Sequence, residues 1–285
     1  MTQQPPSDRY TPPTCPRHPG TIAYVRCQRC DRPTCPACQI PSDVGIHCVD
    51  CSRQAAKKRR SPVEMPLASL SGPQGKIREY PVTATLIALC VAIYVIQTVY
   101  PPLLTRWAFI PLFAESQPWR FLTSAFLHSG LMHLAFNMWA LWVIGTSLER
   151  ALGAVRYTAV YFLSALGGSL AVYVLASPNS TSWLTATVGA SGAIFGLFGM
   201  LFILQYRMGR DTSTIVLLIG INLAISFLGA AISWQAHLGG LMTGSIFGAL
   251  FAWAPPTKRK QRTTIGVIAL AIIFALLGTM RAMIM

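Results

Sequence analysis

The chain has 285 residues, 53% hydrophobic and 11% charged. A soluble domain carries about 25% charged residues, so most of this chain is built for surroundings other than water. The net charge of +14 is unevenly placed: residues 1–80 hold 12 basic and 6 acidic side chains, and residues 81–285 hold 11 and 3. The break near residue 80 separates a polar head from an apolar body, and with no apolar run before it the N-terminus does not read as a cleaved signal peptide.

Residues 1–14 read as a disordered N-terminus and residues 15–52 as a small domain. Seven of the eight cysteines fall between residues 15 and 51. They form pairs with a two-residue gap: Cys15 with His18, Cys27 with Cys30, Cys35 with Cys38, and Cys48 with Cys51. Such a gap lets a tight turn aim both side chains at one metal, and the four pairs supply enough N/S ligands for two tetrahedral zinc sites. About forty residues bury too little to fold unaided, so two structural Zn²⁺ ions would supply the folding energy. A disulfide framework is the competing reading; it sits poorly with a head on the reducing side of a membrane and with seven cysteines plus one histidine. The pattern resembles the B-box or RING-like zinc modules. That resemblance implies cross-bracing, with the first and third pairs on one ion and the second and fourth on the other. It also implies a docking role toward a cytoplasmic protein partner. His47, beside Cys48, is an alternative ligand.

Residues 53–80 read as a flexible linker whose basic run Lys57, Lys58, Arg59 and Arg60 suits an anionic inner leaflet. Nucleic acid is disfavoured as a partner, because four basic residues next to a membrane span already have an electrostatic counterpart there. Beyond the linker, seven apolar runs are long enough to cross a bilayer: 82–100, 129–148, 157–176, 188–206, 213–230, 235–254 and 264–285. The first six contain no Asp, Glu, Lys or Arg, and the seventh contains only Arg281. The loops after runs two, four and six carry Arg150 and Arg156, Arg207 and Arg210, and Lys258 to Arg262. Basic loops stay in the cytoplasm, so the head is expected inside. The fold class is thus an all-α polytopic membrane protein, with a six-helix core over 81–255, then a basic loop and a seventh helix over 256–285. Cys90, inside the first run, reads as a small buried apolar residue.

Polar side chains are costly inside a bilayer and tend to be functional. Run two opens with His128 and continues to His133 and Asn137, which share a helix face at i and i+4. Run four opens Gly189-Ala190-Ser191-Gly192, and run six opens near His237. Singly, a serine back-bonds to its own helix and a histidine packs. Together, on three helices entering from the outer side, Ser191, His237, His133 and Asn137 can meet in one layer. Gly192, Gly196 and Gly199 in run four, and Gly240, Gly244 and Gly248 on the His237 face of run six, permit the close helix approach this requires.

Gly189-Ala-Ser191-Gly, Ala236-His237-x-x-Gly240-x-x-x-Gly244, His133-x-x-x-Asn137 and Trp119-Arg120, with Glu149, Arg150 and Gly153, resemble the rhomboid intramembrane serine proteases over residues 80–255. The resemblance implies that Ser191 is the nucleophile and His237 its base, a dyad without a carboxylate and without a catalytic cofactor. His133, Asn137 and the Ser191 backbone N–H would form the oxyanion hole. His128, Trp119, Arg120, Gly189, Gly192, Gly240 and Gly244 would support the site. Phe195 stands where relatives often carry tyrosine against the histidine. The loop 101–127, with Trp107, Phe109, Trp119 and the pair Arg120 and Glu115, reads as an interfacial element, and run five with Asn222 as a lateral gate. The implied partners are the lipid bilayer and transmembrane protein substrates, cleaved near the outer face. A transporter is disfavoured by the absence of ionised groups and of a repeat between halves. An inactive rhomboid-like adaptor is disfavoured by the intact set of four polar residues.

Overall fold

A computed structural model describes residues 12–42, 45–59, 79–228 and 232–284. The expected disordered segment up to residue 11 and the linker over 60–78 lie outside the described residues. The chain divides into two units, Met1–Pro66 and Leu67–Met285.

In the head, two short antiparallel hairpins present the paired ligands. Strand β1 (Thr14–Cys15) pairs with β2 (His18–Ile22), and β3 (Gln39–Ser42) pairs with β4 (Gly45–Cys48) in the register Gln39↔Cys48 and Ile40↔His47. Helix α1 (Val49–Arg59) follows β4 directly. Residues 53–59, expected in the linker, therefore continue a helix that starts among the ligands. Among the described residues of the head eight are buried: six are cysteines and the others are Ala23 and Thr34, while Ile22, Tyr24, Val25 and Ile40 are exposed. Apolar side chains do not make this core.

The second unit is helical: α2 (Pro81–Val99), α3 (Pro102–Trp107), α4 (Arg120–Thr123), α5 (Leu131–Leu152), α6 (Ala154–Leu175), α7 (Ser191–Arg207), α8 (Ser213–Leu228), α9 (Trp234–Ala252) and α10 (Arg259–Ile284). Each expected run holds one long helix, with shifted ends. Four helices, within α2, α5, α6 and α10, are long and apolar enough to cross a membrane; those over Ser191–Arg207 and Ser213–Phe227 are shorter apolar helices. Helix α5 continues past the apolar run to take in Glu149 and Arg150, so an acidic and a basic residue do lie in a core helix, at its end. Buried Glu149 accepts from the Val82 and Thr83 amides at 2.9 Å each and from Thr83 Oγ1 at 2.8 Å, closing the N-terminus of α2. The anion thus meets the free N–H groups and positive end of that helix. Gly153, at φ +78°, then reverses the chain straight into α6, a turn that disfavours any side chain.

Helices α6, α7 and α9 pack most intimately, α7 on α9 above all. A Cβ on Gly240 would collide with the Gly192 carbonyl oxygen, and one on Gly244 with that of Gly196. Gly168 lies so close to the Ala236 carbonyl that a Cβ would come within 2.8 Å. Backbone meets backbone at these crossings, which only small residues permit. Helix α8 contrasts: among its described residues only Ile215 and Ser226 are buried.

Candidate active site and metal clusters

The close α7–α9 crossing carries Ser191 and His237. Helix α7 starts at Ser191 because Gly189 takes φ +130° and breaks the preceding backbone. A Cβ at Gly189 would stand 2.8 Å from Cε1 and 2.9 Å from Nε2 of His133, so this glycine is required by conformation and by space. Two ties hold the segment: Gly189 N–H donates to the Ser124 carbonyl at 3.0 Å, and Phe109 and Thr187 exchange backbone bonds at 3.0 and 2.7 Å. Helix α9 starts at Trp234, where the Ser233 side chain caps the Ala236 amide at 3.3 Å. His237 follows in its first turn.

Ser191 Oγ lies 2.8 Å from His237 Nε2, within hydrogen-bond distance, although 46 positions separate them in the chain. Phe195, one turn after Ser191, stacks on the His237 ring at 4.1 Å between centroids and 10° between planes. The ring expected there packs without needing a hydroxyl. The other imidazole nitrogen, Nδ1, is 2.7 Å from Ser226 Oγ of α8, and Ser226 donates to the Asn222 carbonyl at 2.7 Å. Ser226 is a site residue that the sequence reading missed, since an i, i+4 Asn/Ser pair in an apolar helix looks like ordinary back-bonding.

His133 reaches the site, its ring against Gly189, with Nδ1 3.0 Å from Ser129 Oγ. Buried Asn137 donates from Nδ2 to the His133 carbonyl at 2.8 Å, and among the described residues no hydrogen bond joins it to Ser191 or His237. His128 precedes α5 rather than opening it, because the helix begins only at Leu131 after the extended Gly130. Its ring is fully buried, edge-on to His133 at 5.2 Å. Gln97 of α2 grips its backbone, donating to the carbonyl at 2.5 Å and accepting from the amide at 3.3 Å.

Trp119 and Arg120 stand apart from the reactive pair. Buried Arg120 donates to the Thr105 and Ala108 carbonyls at 2.7 and 2.6 Å and to Gln117 Oε1 at 2.6 Å. It does not pair with Glu115, which instead accepts from Tyr173 Oη at 2.9 Å. Here a buried cation is neutralised by carbonyl dipoles that fix the 101–127 loop. Trp119 is half exposed and donates to the Arg106 carbonyl at 3.4 Å. Asn222 donates to the Leu218 carbonyl at 2.8 Å, within its own helix.

In the head, Cys15, His18, Cys35 and Cys38 form one cluster and Cys27, Cys30, Cys48 and Cys51 another, with ligand atoms of each within 4.8 Å of one another. This is the cross-braced grouping, and it includes His18 and omits His47. His18 Nδ1 lies 3.2 Å from Cys35 Sγ and 3.4 Å from Cys38 Sγ; Cys30 and Cys48 sulfurs are 3.8 Å apart. A tetrahedron with metal–sulfur bonds of about 2.3 Å has S–S edges of about 3.8 Å, so the donor sets fit a zinc-sized dication. Amide donors, that of Cys35 foremost, lower the Cys15 thiol to about 6. At Cys27 burial raises the thiol, but the amides of Cys48, Arg29 and Cys30 outweigh it and bring it to about 6. Burial and neighbouring thiols push Cys38 up to about 11 and Cys51 up to about 12. Each cluster thus combines a ready thiolate with crowded sulfur that a dication would relieve.

A family model of the Rhomboid domain matches residues 115–254, the stretch holding Ser191, His237, His133 and Asn137. Rhomboid protease GluP of Bacillus subtilis is 36% identical over 175 residues, 59% of this chain and 33% of GluP. The match therefore spans about a third of that relative. YdcA of the same organism is 32% identical over 184 residues, 61% of this chain and 90% of YdcA. Rhomboid protease AarA of Providencia stuartii is 30% identical over 224 residues, 67% of this chain and 79% of AarA. With a serine and a histidine joined across two glycine-packed helices and two of these relatives matched over most of their length, this multi-pass membrane chain belongs to the rhomboid family.

Proposed function

We propose that the protein is an intramembrane serine endopeptidase that hydrolyses peptide bonds in or beside transmembrane segments of other membrane proteins. The observation that carries this reading is the 2.8 Å approach of Ser191 Oγ to His237 Nε2. An inert adaptor has no use for a hydrogen-bonded nucleophile and base held by an aromatic stack.

Ser191 Oγ attacks the scissile carbonyl carbon while its proton passes to His237 Nε2. The negative charge that develops on the carbonyl oxygen is met by the Ser191 N–H, which lies in the first turn of α7 and has no partner within that helix. The helix dipole and the side chains of His133 and Asn137 add to it. For Asn137 this requires the amide to turn from its own helix carbonyl or to offer its second N–H. One such donor contributes about 10² to 10³ in rate. His237 then protonates the departing amine, leaving an acyl ester on Ser191. A water entering from the aqueous side gives its proton to the same nitrogen, attacks the ester, and regenerates the serine.

The seven long helices are taken as seven spans, with the head and the basic loops inside and Ser191 opening toward the outer face. Helix α7 has 17 residues, a rise of about 25 Å, shorter than the about 30 Å hydrocarbon core. Beginning it below the outer surface sets the nucleophile where a substrate helix would unwind. The two clusters of the head are assigned structural Zn²⁺, and the head is assigned a role in docking a cytoplasmic partner. In detergent with a fluorescent transmembrane substrate, Ser191→Ala should reduce cleavage to background; undiminished turnover would reject the protease reading.

A further inference from the structure

We propose that Ser226 is a positioning residue that fixes the tautomer of His237; the proposal rests on the Ser191–His237 reading above. A general base must present an unprotonated Nε2 to the serine, and a neutral imidazole has one N–H, which then sits on Nδ1. In a Ser-His-Asp triad a carboxylate holds that proton in place. No carboxylate hydrogen-bonds His237 among the described residues.

Ser226 supplies the missing constraint through the count of its hydrogens. Its hydroxyl has one proton and two neighbours, the Asn222 carbonyl and His237 Nδ1, each at 2.7 Å. The carbonyl only accepts. Both contacts are satisfied in a single pattern: the hydroxyl proton goes to Asn222, and the remaining lone pair accepts from an N–H on Nδ1. Nε2 is then the acceptor facing Ser191 Oγ at 2.8 Å. The opposite pattern, with the proton on Nε2, would turn the hydroxyl to Nδ1 and leave Ser191 beside a donor, where it is no nucleophile.

The environment reinforces the constraint. Ser226 is 3% exposed and His237 6% exposed, so water competes poorly for Nδ1. Ser226 and Ile215 are the buried residues among those described in α8. Phe195 fixes the plane of the ring but cannot choose between its nitrogens.

The full chain, purified in detergent and assayed with the transmembrane substrate, tests this. Ser226→Ala should lower kcat about tenfold, the scale of one neutral hydrogen bond, with KM unchanged, and Ser226→Thr should restore most of the rate. Nitrogen-15 spectra of labelled histidines should place the His237 proton on Nδ1 in the wild type and divide it between the two nitrogens in Ser226→Ala. A kcat within twofold of wild type in Ser226→Ala, a loss confined to KM, or a wild-type proton on Nε2 would each overturn the proposal. If Ser226→Thr fails to fold, as a thermal melt would reveal, the wild-type tautomer decides. Ser191→Ala measured alongside separates the failures: residual cleavage there removes the protease reading, whereas a dead Ser191→Ala with an unimpaired Ser226→Ala removes only this inference.

Discussion

The head and the membrane body are held together by different kinds of close contact. In the head, six of the eight buried residues among those described are cysteines of the two clusters, so the described interior is mostly ligand atoms. In the body, apolar side chains such as Leu141, Leu148, Leu197 and Met200 are buried, and at the α7–α9 crossing glycines lie directly against carbonyl oxygens of the next helix. Each follows from its surroundings. A domain of about forty residues has too little volume to bury side chains profitably, and helices in lipid gain little by hiding leucine from a solvent as apolar as leucine. Coordination in one and close backbone packing in the other also set geometry finely: sulfurs 3.8 Å apart in the head and a serine 2.8 Å from a histidine in the body.

Removing the metal has the largest expected effect. A strong chelator should unfold the head completely, as loss of its strand signal and protection of its amides, while the helical signal of the body stays within error. A head that keeps its structure without metal would contradict the ligand-core account. Next in size is Gly244→Val. The added carbons must enter the Gly196 carbonyl, and backbone cannot step aside, so the bundle should lose about 3 kcal/mol or more and its activity with it. Gly220→Ala is the matched control, because a Cβ there meets nothing within 4 Å; its melting temperature should hold or rise slightly. Smaller again is Glu149→Gln, which weakens charged bonds to the N-terminus of α2. A loss of about 1.5 to 3 kcal/mol should appear as a fall of about 3 to 12 °C in a unit of this size, with kcat at permissive temperature unchanged.

Much of this was legible in the chain itself, for reasons that also explain the gaps. Apolar runs announce helices because backbone in lipid must bond internally, and Ser191, His133, Asn137 and His237 stand out by the motifs they sit in, Gly-Ala-Ser-Gly, His-x-x-x-Asn and Ala-His-x-x-Gly. The cysteine pairs are legible because two-residue gaps are local, whereas which pairs share a cluster came from the resemblance to B-box and RING-like modules. Ends and partners were harder. Hydropathy locates a span but not where its helix starts, so the start of α7 at Ser191 and the extension of α5 through Glu149 came only with Gly189, Gly153 and the α2 terminus in view. Arg120 suggested an ion pair with Glu115, yet carbonyls of its own loop satisfy it, an arrangement invisible to charge counting. Ser226 and Gln97 went unseen because their importance lies wholly in tertiary neighbours, His237 and the His128 backbone.

The central claim is that Ser191 is a nucleophile activated by His237. A fluorophosphonate probe, with the modified peptide identified by mass spectrometry, tests it directly. The account predicts one adduct, on Ser191, in the wild type, and its loss in His237→Ala with the fold intact by thermal melt. An unlabelled Ser191 in folded wild-type protein, or equal labelling in His237→Ala, would contradict it.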